Sequence, residues 1–334
     1  MNVDRELIEL SAHIGNDPML VQGGGGNTSI KRDGDMWVKA SGTWLAEAGR
    51  RQIFVRVNLV QMRDELAHGR EPPFLAASGT GAVLRPSIET SLHVALPHRV
   101  VAHYHSVNAI ALSAVRGARS LFASLLEDVR WAWVPYKRPG MPLAITVQEA
   151  LGSRPDVLIL ANHGVVVGGA TPNETWSLIR ELERRLEQPP RPSPAPDIAA
   201  LETISSGTAY VPATIRELHA IATDPVNLQI ARGGSLYPDH VVFLGPGIRV
   251  LEAQSAGREE RGKLEAMEAP LVAVPGRGLL LRRTLTPGQR EMANCLALVL
   301  PRIPAGARIN YLTAEEEAQL LNWQAEAYRR AMDT

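Results

Sequence analysis

Two short apolar runs, each delivering histidine at its end, constrain this chain more than any other part of it. Val100-Val-Ala-His-Tyr-His105 reads as a β-strand. Side chains two apart on a strand share a face, so His103 and His105 can point at one spot. Asp156-Val-Leu-Ile-Leu-Ala-Asn162 reads as a second strand, with His163 following it in the turn-like Asn162-His163-Gly164. If the strand ends are adjacent, three imidazoles converge. Three protein ligands with one open position is the arrangement of a catalytic zinc rather than a structural one. The plainer alternative is a set of half-buried strand histidines, and His-x-His spacing alone does not choose between them. Gly164 removes bulk beside the third ring, and Asn162 is placed to support it through a hydrogen bond.

Around these runs helices and strands alternate, which makes the chain α/β. The pattern predicts a helix over 4–14, a glycine loop at 23–26, and strands over 28–32, 35–39 and 52–58. A polar loop with Pro72-Pro73 follows, then a helix over 87–96 ahead of the histidine strand and another from Asn108. A strong helix over 173–187 carries an i,i+4 pair, Glu181 and Arg185. Directly after it, Gln188 is followed by five prolines in eight residues, an extended and semi-rigid spacer. This places one domain at 1–188, a linker at 189–196 and a smaller α/β domain at 197–334. In the latter, strands are predicted over 227–231, 241–244 and 278–282. Helices are predicted over 287–300 and 314–332, the last opening on the capping box Thr313-Ala-Glu-Glu316.

Lys plus Arg and Asp plus Glu both number 35, so no global field draws the chain to nucleic acid or to an anionic membrane. Apolar runs stop well short of the roughly 18 residues of a membrane span. The N-terminal residues carry early acids and read as an amphipathic helix rather than a signal peptide. Cys295 is alone and sits in an apolar helix, which suits packing and a reducing, cytoplasmic setting.

Glu89, in Arg85-Pro-Ser-Ile-Glu89, is either an ordinary first-turn acid, pairing with His93, or a general base beside a metal. Gly23-Gly-Gly-Gly-Asn-Thr-Ser29 is neither a Walker A loop nor a dinucleotide fingerprint. It can present backbone N–H groups and the Asn27 amide to an anion or carbonyl oxygen, or serve only as a turn. Lys39-Ala-Ser41-Gly42-Thr43 has the same character. No Gly-x-Ser-x-Gly elbow is present, which disfavours a serine hydrolase. His13, His68, His98, His219 and His240 lack ligand spacing and read as surface or capping residues, although His240 opens a buried-looking strand. Arg282-Arg283 and Arg329-Arg330 read as solvated charges.

Taken together, Gly25-Gly-Asn27-Thr-Ser29, Lys39-Ala-Ser-Gly42, Pro86-Ser-Ile-Glu89, His103-Tyr-His105-Ser, Pro135-Tyr136 with Pro139-Gly140, and Asn162-His163-Gly164 resemble the class II aldolase/adducin family. The resemblance is nearest to the aldolase portion of bifunctional rhamnulose-phosphate aldolase/alcohol dehydrogenases, where Tyr237-Pro-Asp-His240 and Pro275-Gly-Arg-Gly278 are also recognisable; no dehydrogenase part follows here. It implies a three-layer α/β/α domain with a mainly antiparallel central sheet. It implies a divalent metal, usually Zn2+, on His103, His105 and His163, with Glu89 as catalytic acid/base that can also ligate the resting metal. Asn27, Ser41, Gly42 and Ser87 would hold a substrate phosphate, with Gly26, Thr28 and Lys39 as neighbouring candidates. Two positions depart from the fuculose-phosphate aldolase pattern. Ile88 replaces a second phosphate-contacting serine, and no tyrosine lies in 106–130 to donate a proton, which leaves Tyr136 as a candidate.

The activity implied is reversible C–C cleavage of a sugar-derived hydroxy-ketone, phosphorylated or free, through an enediolate. The same centre also suits an epimerase or decarboxylase, and the family includes non-catalytic adducin heads. It further implies a homo-oligomer with sites near subunit boundaries. For residues 197–334 no motif supports a role beyond capping the cleft, forming an interface, or being the remnant of a fusion.

Overall fold

The computed structural model describes residues 3–72, 84–252 and 258–333. Seven strands form the main sheet: β1 Asn27–Arg32, β2 Asp35–Lys39, β3 Phe54–Asn58, β4 Val100–Tyr104, β5 Trp131–Val134, β6 Val157–Leu160 and β7 Gly164–Gly169. Their spatial order is β3-β2-β1-β4-β7-β6-β5. Every pairing is antiparallel except β5 with β6.

Alternation along β4 sorts its side chains. Val100, Ala102 and Tyr104 join a core with Leu7, Leu10 and Ile14 of the first helix and Ile179, Leu182 and Leu186 of the helix Pro172–Leu186. Val101 faces the other way, into a core with Leu92 and Leu96. The result is helices on both faces of a mainly antiparallel sheet, as expected for the three-layer α/β/α class. His103 shares the face of Val101, the face covered by the helix Thr90–Ala95.

A second sheet contains β8 Tyr210–Pro212, β9 Arg249–Val250, β10 Leu271–Val274 and β11 Gly278–Arg282, in the order β8-β11-β10-β9. Its β11 residues Leu279 and Leu281 pack in a core that also holds Met292 and Leu296 of the helix Pro287–Val299. Val107, Ile110 and Ala111 of the helix Val107–Ser113 enter this same core. The proline-rich segment lies against the C-terminal residues: the Arg191 backbone N–H donates to Pro301 O at 2.9 Å and its guanidinium to Asn227 Oδ1 at 2.5 Å.

Several elements differ from expectation. Residues 227–231 and 241–244 are helical, within Pro225–Gly233 and Pro238–Leu244. Asp224 caps the first by accepting from Val226 N at 2.7 Å, and each helix has proline in its first turn, a helix-start signal. The second ends at Gly245, whose φ of 83° lies in the left-handed region. The expected helix over 314–332 is two, Ala314–Leu321 and Gln324–Ala331, separated where Trp323 turns extended. The helix expected from Ser87 begins at Thr90. Pro73 of the expected polar loop lies outside the described residues.

Nor are all the remaining histidines surface groups. His219 is buried, its Nε2 bonded to Ala213 O and its Nδ1 to Leu279 N. His240 is fully buried, donating from Nε2 to Gly247 O at 3.0 Å. Burial pushes the His240 imidazole down to about 4. Its folded value is below its unfolded one of about 6.5, so unfolding takes up a proton between those limits. The stability involved is fully present above pH 6.5 and is lost as pH falls toward 4. Urea unfolding at pH 7, 5.5 and 4.5 is expected to show His240→Gln losing about 2 kcal/mol less across that window than the parent chain. Parallel losses in the two proteins would remove His240 as a source.

Candidate metal and catalytic centre

The antiparallel pairing of β4 with β7 sets His103 opposite Val166 and Tyr104 opposite Val165. His105 follows the end of β4, and His163 occupies the turn between β6 and β7. All three rings are buried and their ligand atoms lie within 4.8 Å of one another. The Nε2 atoms of His103 and His105 are 3.2 Å apart. Close approaches make this possible. A Cβ on Gly164 would sit 2.4 Å from Tyr104 O. One on Gly25 would sit 2.7 Å from His105 Nδ1. Gly26, with φ of 58°, passes so close that a Cβ would meet His103 O at 2.9 Å. The glycine run therefore serves the histidine strand as well as lining the pocket.

The outward nitrogens are accounted for in two of the three rings. His103 Nδ1 donates to Val165 O at 3.0 Å, which leaves the Nε2 lone pair facing the centre. His105 Nδ1 lies 3.3 Å from Asp239 Oδ2. His163 Nδ1 has no partner among the described residues. Burial pushes the His103 and His163 rings down, His163 to about 3, so both are neutral at pH 7 with lone pairs available.

Glu89 is not a first-turn acid paired with His93; it precedes the helix and turns its side chain into the centre. Its Oε1 lies 3.4 Å from His103 Nε2 and 3.5 Å from His163 Nε2, is buried, and has no hydrogen-bond donor. Oε2 accepts from Asn27 Nδ2 at 2.8 Å. Burial would raise this carboxyl, but the surrounding imidazoles and the Asn27 amide more than offset that and hold it ionised. Three converging imidazole nitrogens and an orphaned carboxylate oxygen suit a divalent cation, which would satisfy all four at once.

Of the remaining expected residues, Gly26, Asn27, Lys39, Ser41, Gly42, Ser87 and Ile88 line the same cavity. Ser41 Oγ is buried without a partner. Lys39 Nζ is tied to Gly24 O at 2.9 Å and Thr43 O at 2.6 Å; burial, with Arg329 nearby, brings it down to about 7. Thr28 points to the other face of β1 and bonds Ser11 at 2.6 Å. Tyr136 is not among the lining residues; it packs against the C-terminal core. Asn162 does not support His163. Its amide donates to Leu236 O at 2.9 Å and Asn310 O at 2.7 Å, pinning the C-terminal segment.

Three groups in the centre were not assigned to it from the sequence. His93 bonds Asn27 Oδ1 through Nε2 and Ser29 Oγ through Nδ1, at 2.7 Å for the latter, and so fixes the amide that holds Glu89. Asp239 and Arg329 line the cavity from the C-terminal segment. Arg329 is thus not a solvated charge: it is buried, donating to Asp239 at 3.0 and 3.2 Å and to Glu326 at 2.9 and 3.0 Å. The cation-rich pair Arg329-Arg330 resembles a surface pattern, and only the fold shows that one member turns inward.

The helix Gln324–Ala331 also closes the cavity. The Arg138 guanidinium lies 4.0 Å above Trp323 and that of Arg85 lies 4.4 Å above Tyr328. The Met332 side chain fills the space beside Gly42, where a Cβ would meet it at 2.7 Å. Room remains for about 10 Å³ of water-sized contents.

With this geometry in place, the family is shown. The chain belongs to the class II aldolase and adducin N-terminal domain family, matched over residues 5–188. It is 30% identical over 200 residues to YuxG of Bacillus subtilis, an uncharacterized oxidoreductase; the match covers 54% of this chain and 29% of that protein. The chain thus spans less than a third of that relative. It is 26% identical over 187 residues to an L-fuculose phosphate aldolase of Methanococcus vannielii, covering 54% of this chain and 91% of that one. Among solved structures, the N-terminal class II aldolase domain of a Thermoplasma acidophilum protein is similar, at 25% identity and a TM-score of 0.48 over 56% of this chain and 94% of that one. No described helix is long and apolar enough to cross a membrane.

The wedge at Gly25 gives a direct check. Gly25→Ala is expected to push the His105 ring aside and weaken Zn2+ binding at least tenfold in chelator competition, with the far-ultraviolet spectrum unchanged. Unaltered affinity would show that the ring is not held where the structure places it.

Proposed function

We propose that this protein is a metal-dependent aldolase that reversibly cleaves a C–C bond in a sugar-derived hydroxy-ketone. The observation that carries the reading is the convergence of three buried imidazole nitrogens and one carboxylate oxygen without a hydrogen-bond partner among the described residues. His103, His105 and His163 would hold the ion, with Zn2+ the best match to an all-imidazole donor set. When bound, a divalent cation supplies Lewis-acid stabilisation of the negative charge that builds on the carbonyl and adjacent hydroxyl oxygens as the bond breaks.

The chain's own residues do the rest. Glu89 is held ionised and aimed by Asn27, so it can take a proton from, or return one to, the reacting carbon. His93 fixes the Asn27 amide, which keeps the acceptor on Glu89 rather than rotated away. Ser41 and Ser87 offer hydroxyls to the distal end of the substrate, and Ile88 offers none. Residues 1–188 are read as the catalytic domain and 197–334 as its cover. Because the cavity holds little more than one water, the helix Gln324–Ala331 must shift for a substrate to reach Glu89.

Glu89→Gln is expected to keep one Zn2+ per chain while turnover falls by roughly 10²- to 10⁴-fold, and His103→Ala to lose the ion. The measurement is metal analysis together with product analysis on free and phosphorylated hydroxy-ketones. Two carbonyl fragments fit the aldolase reading; a single isomer or CO2 would replace it with epimerase or decarboxylase chemistry. Full turnover by the glutamine variant would sink the role given to Glu89.

A further inference from the structure

The ring of His105 is bounded on one side by Gly25 and on the other by Asp239, which belongs to no part of the matched family domain. Asp239 lies in the first turn of the helix Pro238–Leu244 and is buried. Its Oδ2 is 3.3 Å from His105 Nδ1. An ionised carboxylate only accepts hydrogen bonds, so it favours the tautomer that turns an N–H toward it. That selects the Nδ1–H tautomer and leaves Nε2, 3.2 Å from His103 Nε2, with its lone pair toward the centre. Arg329 grips the same carboxylate with two nitrogens, at 3.0 and 3.2 Å, and so fixes its plane.

Arg329 bridges two buried carboxylates. Both oxygens of Glu326 also accept from it, at 3.0 and 2.9 Å. What distinguishes the two is reach: Asp239 touches a candidate metal ligand and Glu326 does not.

We propose that Asp239 is a positioning residue for the metal centre, fixing the tautomer and orientation of His105, and that Arg329 holds it in that role. Through this pair the C-terminal segment completes a centre whose ligands all come from the first 188 residues. The inference rests on the reading of His103, His105 and His163 as metal ligands. The carboxylate raises the basicity of the ring nitrogen on the ion, and removal of such a partner typically weakens metal binding by about 10- to 100-fold.

The experiment is Zn2+ titration of the full metal-stripped chain against a chromogenic chelator. It is combined with ¹⁵N–¹H spectra of the histidine rings in the Zn2+-loaded protein. The parent chain is expected to bind one ion. Asp239→Asn is expected to bind it roughly 10- to 100-fold more weakly and to lose or shift the His105 Nδ1–H signal, while the His103 signal, held by Val165 O, stays in place. A general loosening of the structure would not discriminate between the two rings. Should Asp239→Asn fail to fold, Arg329→Lys keeps the carboxylate and the positive charge but not the two-nitrogen grip. It is then expected to weaken binding by a smaller factor and to broaden the His105 signal alone. Parent-like affinity, or an unmoved His105 signal, in the folded variant would overturn the positioning role while leaving the metal reading intact. A parent chain that takes up no Zn2+ would overturn both.

Discussion

The pairing of β4 with β7 is the constraint on which the rest of this centre depends. It places His103 beside the carbonyl of Val165, which takes the Nδ1 proton, and brings His163 level with the end of β4. The same register lets β1 lie along the other side of β4 with Asn27 opposite His103. The end of one strand thus gathers two candidate ligands, His103 and His105, with a third from the neighbouring turn and the amide that aims Glu89. Because side chains alternate strictly along a strand, a slip of one residue would send His103 into the apolar face that now holds Tyr104. The glycines at 25, 26 and 164 are what allow the backbones to approach that closely.

A centre of this kind concentrates charge where water is scarce. Lys39, Glu89, Asp239, Glu326 and Arg329 are all buried around it. Each is tolerated because specific partners replace water: Asn27 for Glu89, two backbone carbonyls for Lys39, and two carboxylates for Arg329. Burial pushes Glu326 up to about 7, while the Arg329 guanidinium opposes that rise. Breaking such a set by removing one member leaves an uncompensated charge, which is more damaging than never having the set at all. This ties the C-terminal helix to the metal centre energetically as well as by contact.

The sequence made the centre legible where a local pattern carries the geometry. His-x-His on an apolar strand and a third histidine after the next such run are readable because strand alternation and strand-end placement follow from short spans; spacing alone left the role of Glu89 open. The three-layer fold came instead from the family resemblance, which the quoted motifs carry together. Asp239, Arg329 and His93 were not. Asp239 and Arg329 are ninety residues apart and meet only through tertiary packing, and Arg329 sits in an Arg-Arg pair that on any exposed helix would be solvated. His93 reads as a helix residue one turn past Glu89, and its bond to Asn27 spans sixty-six positions. The misread helices Pro225–Gly233 and Pro238–Leu244 show the opposite failure: Asp-Pro and Tyr-Pro are local helix-start signals, yet both stretches were read as strands.

The cover also bears on what the site can accept. In the cradle formed by Ser41, Gly42 and Ser87, the space beside Gly42 is filled by Met332, and Ile88 adds an apolar wall. Ser41 Oγ is left buried and unsatisfied beneath it. An unsatisfied hydroxyl under a displaceable methionine, itself 42% exposed, marks the weakest point of the closure. The tight points lie elsewhere: the Arg138–Trp323 and Arg85–Tyr328 stacks, and the Asp333 carboxylate on Gly288 N at 2.7 Å. The C-terminal helix therefore closes a cavity whose other walls belong largely to the family domain.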